Sequence, residues 1–297
     1  MFVSVIVPIY NQAESLKITL KFFNNQSYPK NKFEIVVVDD GSTDELKDLH
    51  KEGKFDDLDI SLKYIREENS GRAVARNNGV SNAKGDLIIF CDADRFPERD
   101  FIKKYVEAYE KHGDCAFIGC PMDYFGLPKF IKGNIDEIDF CKVKKYSRKP
   151  SYYSKIMKLF NEDDLTDSKI KWASFLVGNS CISKENFYKA GAFDENFKAW
   201  GFEHFELALR LQMNDVKFCS ISNNCNYHIP HPRGDGYYKK MIGDSIKVFK
   251  NKHKNFKVEL LGQYLLGDIS LQEFEERYSG VISKEIKDLE PIMYLMK

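Results

Sequence analysis

The sequence predicts an α/β fold, a doubly wound, mostly parallel sheet followed by a helical C-terminal extension. Three observations predict it. Short β-rich runs alternate with helical patterns through the first half of the chain. The runs Val5-Ile6-Val7, Ile35-Val36-Val37-Val38 and Leu87-Ile88-Ile89-Phe90 are apolar without a break, as strands are when helices cover both faces of their sheet. After Gly236 the pattern changes to two or three helices with apolar faces.

Taken in order, strands are expected over residues 2–9, 33–39, 61–65, 86–91 and near 116–119, with helices over 13–25, 44–54, 72–83 and 100–112 between them. Residues 123–171 turn irregular, aromatic and lysine-rich, and read as an insertion or a loop region facing a second substrate. A further block holds a strand over 175–182, a short helix near 184–190 and a helix from 203 to 213. No repeat and no low-complexity linker interrupts this order.

Composition narrows the function classes. With 297 residues and 43% hydrophobic content, the chain can bury one large core, or a core and a smaller appended one. Lys+Arg and Asp+Glu both number 45, so no global charge draws the chain to nucleic acid or to an acidic membrane. The cluster Lys142, Lys144, Lys145, Arg148 and Lys149 reads as a solvated face. Seven cysteines without a C-x-x-C pair suit a reducing cytoplasm better than a disulfide framework or a zinc site. The apolar start, MFVSVIVPIYN, is too short to span a bilayer and lacks a basic leader, so it reads as a buried first strand. Asn25-Gln26-Ser27 matches a glycosylation sequon by chance. The expected location is cytoplasmic. The helical tail is the element that would touch the inner face of a membrane or a partner subunit.

In doubly wound sheets ligands bind beyond the carboxyl ends of the strands. Here those ends carry Tyr10-Asn11, Asp39-Asp40-Gly41-Ser42 and Cys91-Asp92-Ala93-Asp94. No glycine-rich phosphate loop is present. An edge lined with carboxylates repels a bare diphosphate, so it calls for a bridging divalent cation, Mn²⁺ or Mg²⁺, which prefers carboxylate and phosphate oxygens. In an extended segment Asp92 and Asp94, at i and i+2, would point to one side and share a cation or a ribose.

Four segments occur in order at βα spacing: Val5 to Asn11, Val38 to Asp44, Asn69-Ser70-Gly71 through Ala75-Arg76-Asn77-Asn78-Gly79, and Asp92-Ala93-Asp94. Together they resemble the family 2 glycosyltransferases of GT-A fold, over roughly the first 120 residues. The resemblance implies that Pro8, Tyr10 and Asp40 surround the nucleotide base, with Asp40 accepting from a uracil ring. It implies Asp92 near the ribose and diphosphate, Asp94 on the metal, and Arg76 and Asn77 beside the nucleotide. Two plainer readings stand beside it. Ser42 through Glu45 also reads as a capping box, and Arg76 also suits an ion-pair partner for the strand-end aspartates. Arg72 receives no role.

The later segments Val177-Gly178-Asn179-Ser180, Ala190 to Glu195 and Ala199-Trp200-Gly201-Phe202-Glu203-His204 resemble the C-terminal half of galactosyl- and N-acetylgalactosaminyltransferases. There a W-G-G-E-D-like segment starts a helix beside the acceptor. Phe202 replaces the second glycine, and His204 stands where the aspartate would be. The resemblance makes Glu203 the first choice of general base and His204 the second, with Trp200 and Asn179 as acceptor contacts. As a first-turn carboxylate Glu203 would also simply favour the helix dipole. Glu206 is expected to pair with Arg210. His228, in Tyr227-His228-Ile229-Pro230, matches a histidine metal ligand that would complete Asp94, and Arg233-Gly234-Asp235-Gly236 is composed for closing over the diphosphate.

The expected organisation is a nucleotide-sugar half over 1–122, an acceptor and catalytic half over 123–235, and a helical subdomain over 236–297. The expected activity is metal-dependent, inverting transfer of a hexose or N-acetylhexosamine from a UDP-sugar to an unidentified glycan, lipid-linked sugar or peptide. One rival is a nucleotide-sugar binding module that has lost its base. The other, a nucleotidyltransferase, would carry a basic glycine-rich loop where Pro8-Ile9-Tyr10-Asn11 stands.

Overall fold

The structure, a computed structural model, describes residues 1–280 apart from 128, 133–137, 199–200 and 231–236. The described residues form a nine-stranded sheet from β1 (Val3–Ile9), β2 (Phe33–Asp40), β3 (Ser61–Glu67), β4 (Leu87–Cys91), β5 (Arg95–Pro97), β6 (Cys115–Tyr124), β7 (Ser147–Arg148), β8 (Asn179–Ser183) and β9 (Lys217–His228). The order is β3-β2-β1-β4-β8-β6-β9-β5, with β7 beside β6. β1, β2, β3 and β4 pair in parallel, as do β6 and β9, while β8 runs antiparallel between β4 and β6.

Side-chain alternation builds a core on each face of this sheet. Ile6, Val36, Val38, Ile88 and Phe90 join one buried cluster, and Val5, Val7, Ile35, Val37, Leu87 and Ile89 join the other. Helices Ala13–Asn24, Arg72–Ser81 and Phe101–His112 arise where the spacing predicts them. Gly79 lets the second of these lie close on the sheet, since a Cβ there would stand 2.4 Å from Ile6 Cγ2. Successive strands step outwards from β1 in opposite directions, so the crevice between the carboxyl ends of β1 and β4 is the topological switch point.

Four elements differ most from expectation. The strand expected over 175–182 begins only at Asn179, because Lys171–Ser174 forms a 3₁₀ turn that buries Trp172 and delivers Phe175 to the core. The helix expected over 44–54 spans only Leu46–Lys51. β5 and the twelve-residue β9 were not expected, and together they carry the far side of the cavity. Within 123–171 the chain forms short helices, including Phe140–Lys145 and Ser151–Ile156.

After residue 236 come helices Tyr237–Lys252, Glu259–Leu266 and Leu271–Ser279. Their buried residues Ile242, Phe249, Leu261 and Phe274 belong to the same cluster as Ile6 and Val36. Among the described residues, no helix is long and apolar enough to cross a membrane. All seven cysteines are free.

Candidate functional site

A cavity of ≈ 1400 Å³ opens at the switch point. Its walls come from the ends of β1, β2 and β4, the first turns of helices Arg72–Ser81 and Glu203–Met213, the start of β8 and the end of β9. Pro8, Tyr10, Asp40, Arg76, Asp92, Asp94, Asn179, Glu203, His204 and His228 all line it. Residues separated by most of the chain length thus share one cavity.

At the β1–β2 end, the backbone is laced before any ligand arrives. Asn11 sits at φ 53°, and its Oδ1 accepts from Thr43 N (2.7 Å), while its own N–H donates to Ser42 Oγ (3.0 Å). Asp44 Oδ2 accepts from Ala13 N at 3.0 Å and so caps the first helix across the gap. The capping box read from Ser42 to Glu45 does not form: Glu45 precedes its helix without a side-chain cap of its own, and Ser42 Oγ is taken by Asn11 N in the loop after β1. Asp39 is fully buried, held by Ser42 N (2.7 Å), Tyr64 Oη (2.5 Å) and Arg66. Burial works against its charge, but the contacts with Ser42, Tyr64 and Arg66 outweigh it and keep the carboxyl below its ordinary range. Asp40 faces the other way. Its Oδ1 accepts from Ser70 N at 2.6 Å, and both its oxygens lie within 3.2 Å of Gly71 N, so it positions the entry to helix Arg72–Ser81. Tyr10 projects its ring, 48% exposed, at the mouth.

The triplet Asp92-Ala93-Asp94 lies in a turn between β4 and β5, closed by Arg95 N donating to Asp92 O at 3.1 Å. The extended geometry expected for it is therefore replaced, and the two carboxylates have separate partners. Asp92 Oδ1 accepts from Arg76 Nη2 at 3.0 Å. Asp94 Oδ2 accepts from Gln12 Nε2 at 3.1 Å and stands 3.5 Å from His228 Nε2. The far ring nitrogen of His228 lies 3.0 Å from Asp123 Oδ1. Burial disfavours a charged His228, but the contacts with Asp123 and Asp94 prevail and raise its pKa.

This donor set suits a divalent cation. Asp94 offers a carboxylate and His228 an imidazole at bridging separation, and Asp123 on the second ring nitrogen leaves Nε2 to face the ion, as carboxylate partners of metal-bound histidines do. Among the described residues, no group of three or more His, Cys, Asp or Glu converges. A cation there would meet two ligands among the described residues, and substrate oxygens would complete the shell.

Glu203 and His204 open their helix at the opposite wall. Arg76, fully buried, reaches Glu203 Oε1 at 2.7 Å and so bridges it to Asp92. Burial alone would raise the Glu203 carboxyl. The neighbouring His204 and the guanidinium groups of Arg76 and Arg72 overcome this and hold it far below the ordinary carboxylate range. His204 Nδ1 stands 3.6 Å from Glu203 Oε1, longer than a hydrogen bond, and is buried with no hydrogen-bond partner among the described residues.

Two expected contacts are corrected. Asn77 turns out of the cavity. Its amide donates to Phe193 O (2.9 Å) and Glu195 Oε1 (3.0 Å) and accepts from Phe193 N (2.9 Å), clasping the 193–195 loop. Asn179 is fully buried, and its side chain is consumed by Tyr105 Oη (2.5 Å), Asn224 O (3.0 Å) and Asn226 Oδ1 (3.1 Å), which leaves none of it for an acceptor. Trp200 and the 233–236 loop lie outside the described residues. The residues that sequence reasoning missed are Gln12, Arg95 and Asp123, all on the cavity wall. Arg95 directly follows the triplet, and that adjacency was the available signal. Asp123 is joined to His228 only by β6–β9 pairing, which gave none.

Residues 4–169, more than half of the chain, match the family model described as "Glycosyl transferase family 2". Residues 158–232 match one described as the "N-terminal domain of galactosyltransferase". Among curated proteins, an uncharacterized glycosyltransferase of Bacillus subtilis (strain 168), YfnE, is 27% identical over 78% of this chain and 66% of its own length. Chondroitin synthase of Escherichia coli is 29% identical over 82% of this chain and 37% of its own length. The chain thus spans less than two thirds of either relative. The solved structure of GalNAc-T7 with UDP, GalNAc and Mn²⁺ aligns with a TM-score of 0.62 at 16% identity, over 94% of this chain and 54% of that one, a likeness of GT-A fold.

Proposed function

The chain belongs to glycosyl transferase family 2, and from that membership we propose that it moves a hexose or N-acetylhexosamine from a UDP-sugar to an acceptor hydroxyl with inversion. The observation that carries this reading is the shared cavity, in which Tyr10 and Asp40, the Asp94–His228 pair and the Glu203–His204 pair face one space. In this reading the Tyr10 ring stacks on the base, beside Pro8, with Asp40 positioning the loop and accepting from the uracil. Asp94 and His228 would hold Mn²⁺ or Mg²⁺, which would supply neutralisation of the charge gathering on the departing diphosphate.

The acceptor oxygen attacks the anomeric carbon as the bond to the diphosphate breaks, and its proton must go to a base. The geometry favours His204 over Glu203. A carboxylate locked on the Arg76 guanidinium at 2.7 Å has little affinity for a proton. His204 turns Nδ1 towards that carboxylate, which leaves Nε2 as the accepting nitrogen. Glu203 then serves to hold Arg76 on Asp92.

The test is UDP release from a panel of UDP-sugars, with Mn²⁺ or with EDTA. The native protein should release UDP with one or two sugars, only with the cation, and Asp94→Ala should abolish release. With an acceptor in hand, His204→Ala should lower kcat by about 10²–10⁴-fold and leave UDP affinity unchanged. UDP binding without release would make the chain a nucleotide-sugar binding module on an enzyme's fold, and loss of both release and Mn²⁺-linked UDP binding would overturn the UDP-sugar reading. A larger loss in Glu203→Gln than in His204→Ala, with both variants folded, would return the base to Glu203.

A further inference from the structure

We infer that Arg95 binds the diphosphate of the donor, meeting its oxygens through the guanidinium and sharing the charge that leaves with the nucleotide. This rests on the reading of the cavity as a nucleotide-sugar site. Arg95 opens β5 immediately after the acidic turn, and antiparallel pairing sets it opposite His228. Its side chain is only 16% exposed and lines the cavity. Among the described residues, neither its Nε nor its Nη1 has a hydrogen-bond partner, although both are buried. The Asp92 carboxylate is within ion-pair range, Oδ2 lying 3.6 Å from Nε, but that is too long for a hydrogen bond, and Oδ1 is already taken by Arg76.

A buried guanidinium with unused donors is costly unless an acceptor arrives. Its planar fork matches two phosphate oxygens at once, which an ammonium cannot do. The backbone has also been cleared for it: a Cβ on Gly178 would stand 2.5 Å from Arg95 Nε and 2.9 Å from Asp92 Oδ2. The side chain therefore sits in a made space between the Asp94–His228 pair and the start of β8. A dianionic diphosphate entering there would satisfy Nε and Nη1 and offset the local carboxylates of the turn.

The experiment compares UDP with uridine as ligands of the native protein, Arg95→Ala and Arg95→Lys, by titration calorimetry in EDTA, with thermal unfolding of each protein. Uridine affinity should be the same in all three. UDP affinity should fall by roughly tenfold or more in Arg95→Ala, as expected for charge-assisted hydrogen bonds, and recover in part in Arg95→Lys. Arg95 would be merely structural if UDP bound as tightly to a variant that melts like the native protein, or if uridine affinity fell in step with UDP. If the native protein bound neither ligand in EDTA or in Mn²⁺, the reading of the cavity itself would fail, a result separable from failure at Arg95 alone.

Discussion

Phe202 occupies a backbone conformation that favours glycine, with φ 74° immediately before helix Glu203–Met213. Left-handed backbone costs a non-glycine residue about 1–3 kcal/mol. The side chain offsets this, since its ring is 1% exposed and meets Phe205 edge-on at 5.5 Å between centroids. Its carbonyl also accepts from Glu206 N at 2.9 Å, so residue 202 aims the first turn that carries Glu203 and His204. Phe202→Ala keeps the strained backbone and loses the ring, and should destabilise by about 3–5 kcal/mol. Phe202→Gly loses the same ring but relieves the strain, so it should be about 1 kcal/mol more stable than the alanine variant. Urea unfolding of the two variants reads that order directly, and alanine being the more stable would remove the strain argument.

At the scale of elements, helix Glu203–Met213 is pinned in its first turn by Glu206. That carboxylate is fully buried and accepts from Arg210 Nε (2.8 Å) and Nη2 (2.6 Å), with Lys252 Nζ 3.0 Å and His253 Nε2 2.8 Å away on helix Tyr237–Lys252 and its exit. Arg210 goes on to the carbonyls of Ala190 and Ala192. Glu206→Ala leaves Arg210 buried and underpaired, and should cost about 3–5 kcal/mol. Burial opposes the Glu206 charge, but His253, Arg210 and Lys252 pull its pKa down from 4.5 to about 2. A depressed folded pKa means stability that is fully present above 4.5 and lost as pH falls towards 2. Acid titration of stability should therefore be steepest in that window for the native protein and flatter for Glu206→Ala. The i,i+4 pairing of Glu206 with Arg210 was readable from spacing, but the clasp by Lys252 and His253 was not, since it depends on where the tail packs. The same division holds for strands. β1, β2 and β4 announce themselves as unbroken apolar runs buried on both faces. β9 does not, because its buried positions include Asn224 and Asn226, whose amide nitrogens donate to Phe101 O (3.2 Å) and Gly178 O (2.6 Å) respectively, and polar letters mask a strand from hydrophobic periodicity. The site follows suit: residues at strand ends were legible, whereas Arg95 and Asp123 acquire their place from pairing with β9.

Over the whole molecule, the question is whether the tail is a separate unit or part of the fold that builds the cavity. Trp172 answers from its surroundings. It is fully buried, with ring centroids 6.5 Å from Phe205 on the helix of Glu203, 5.5 Å from Phe249, 6.1 Å from Phe274 and 5.9 Å from Tyr278, all three of the latter on the tail. Ile242 and Leu265 of the tail also line the cavity itself. One aromatic cluster therefore joins the last described helix to the helix that carries Glu203 and His204, and the buried Glu206–Lys252–His253 contacts tie the same two elements together. A substitution at the far end of that cluster should be felt at the site. Phe274→Ala should cost about 3–5 kcal/mol and shift one common urea midpoint for tryptophan fluorescence, far-ultraviolet helicity and UDP binding. A tail folding on its own would behave otherwise. Helicity would then fall first in Phe274→Ala, in a transition of its own, while UDP binding kept the native midpoint. Coincident midpoints in both proteins would mean that the three tail helices and the nucleotide crevice unfold as one cooperative body.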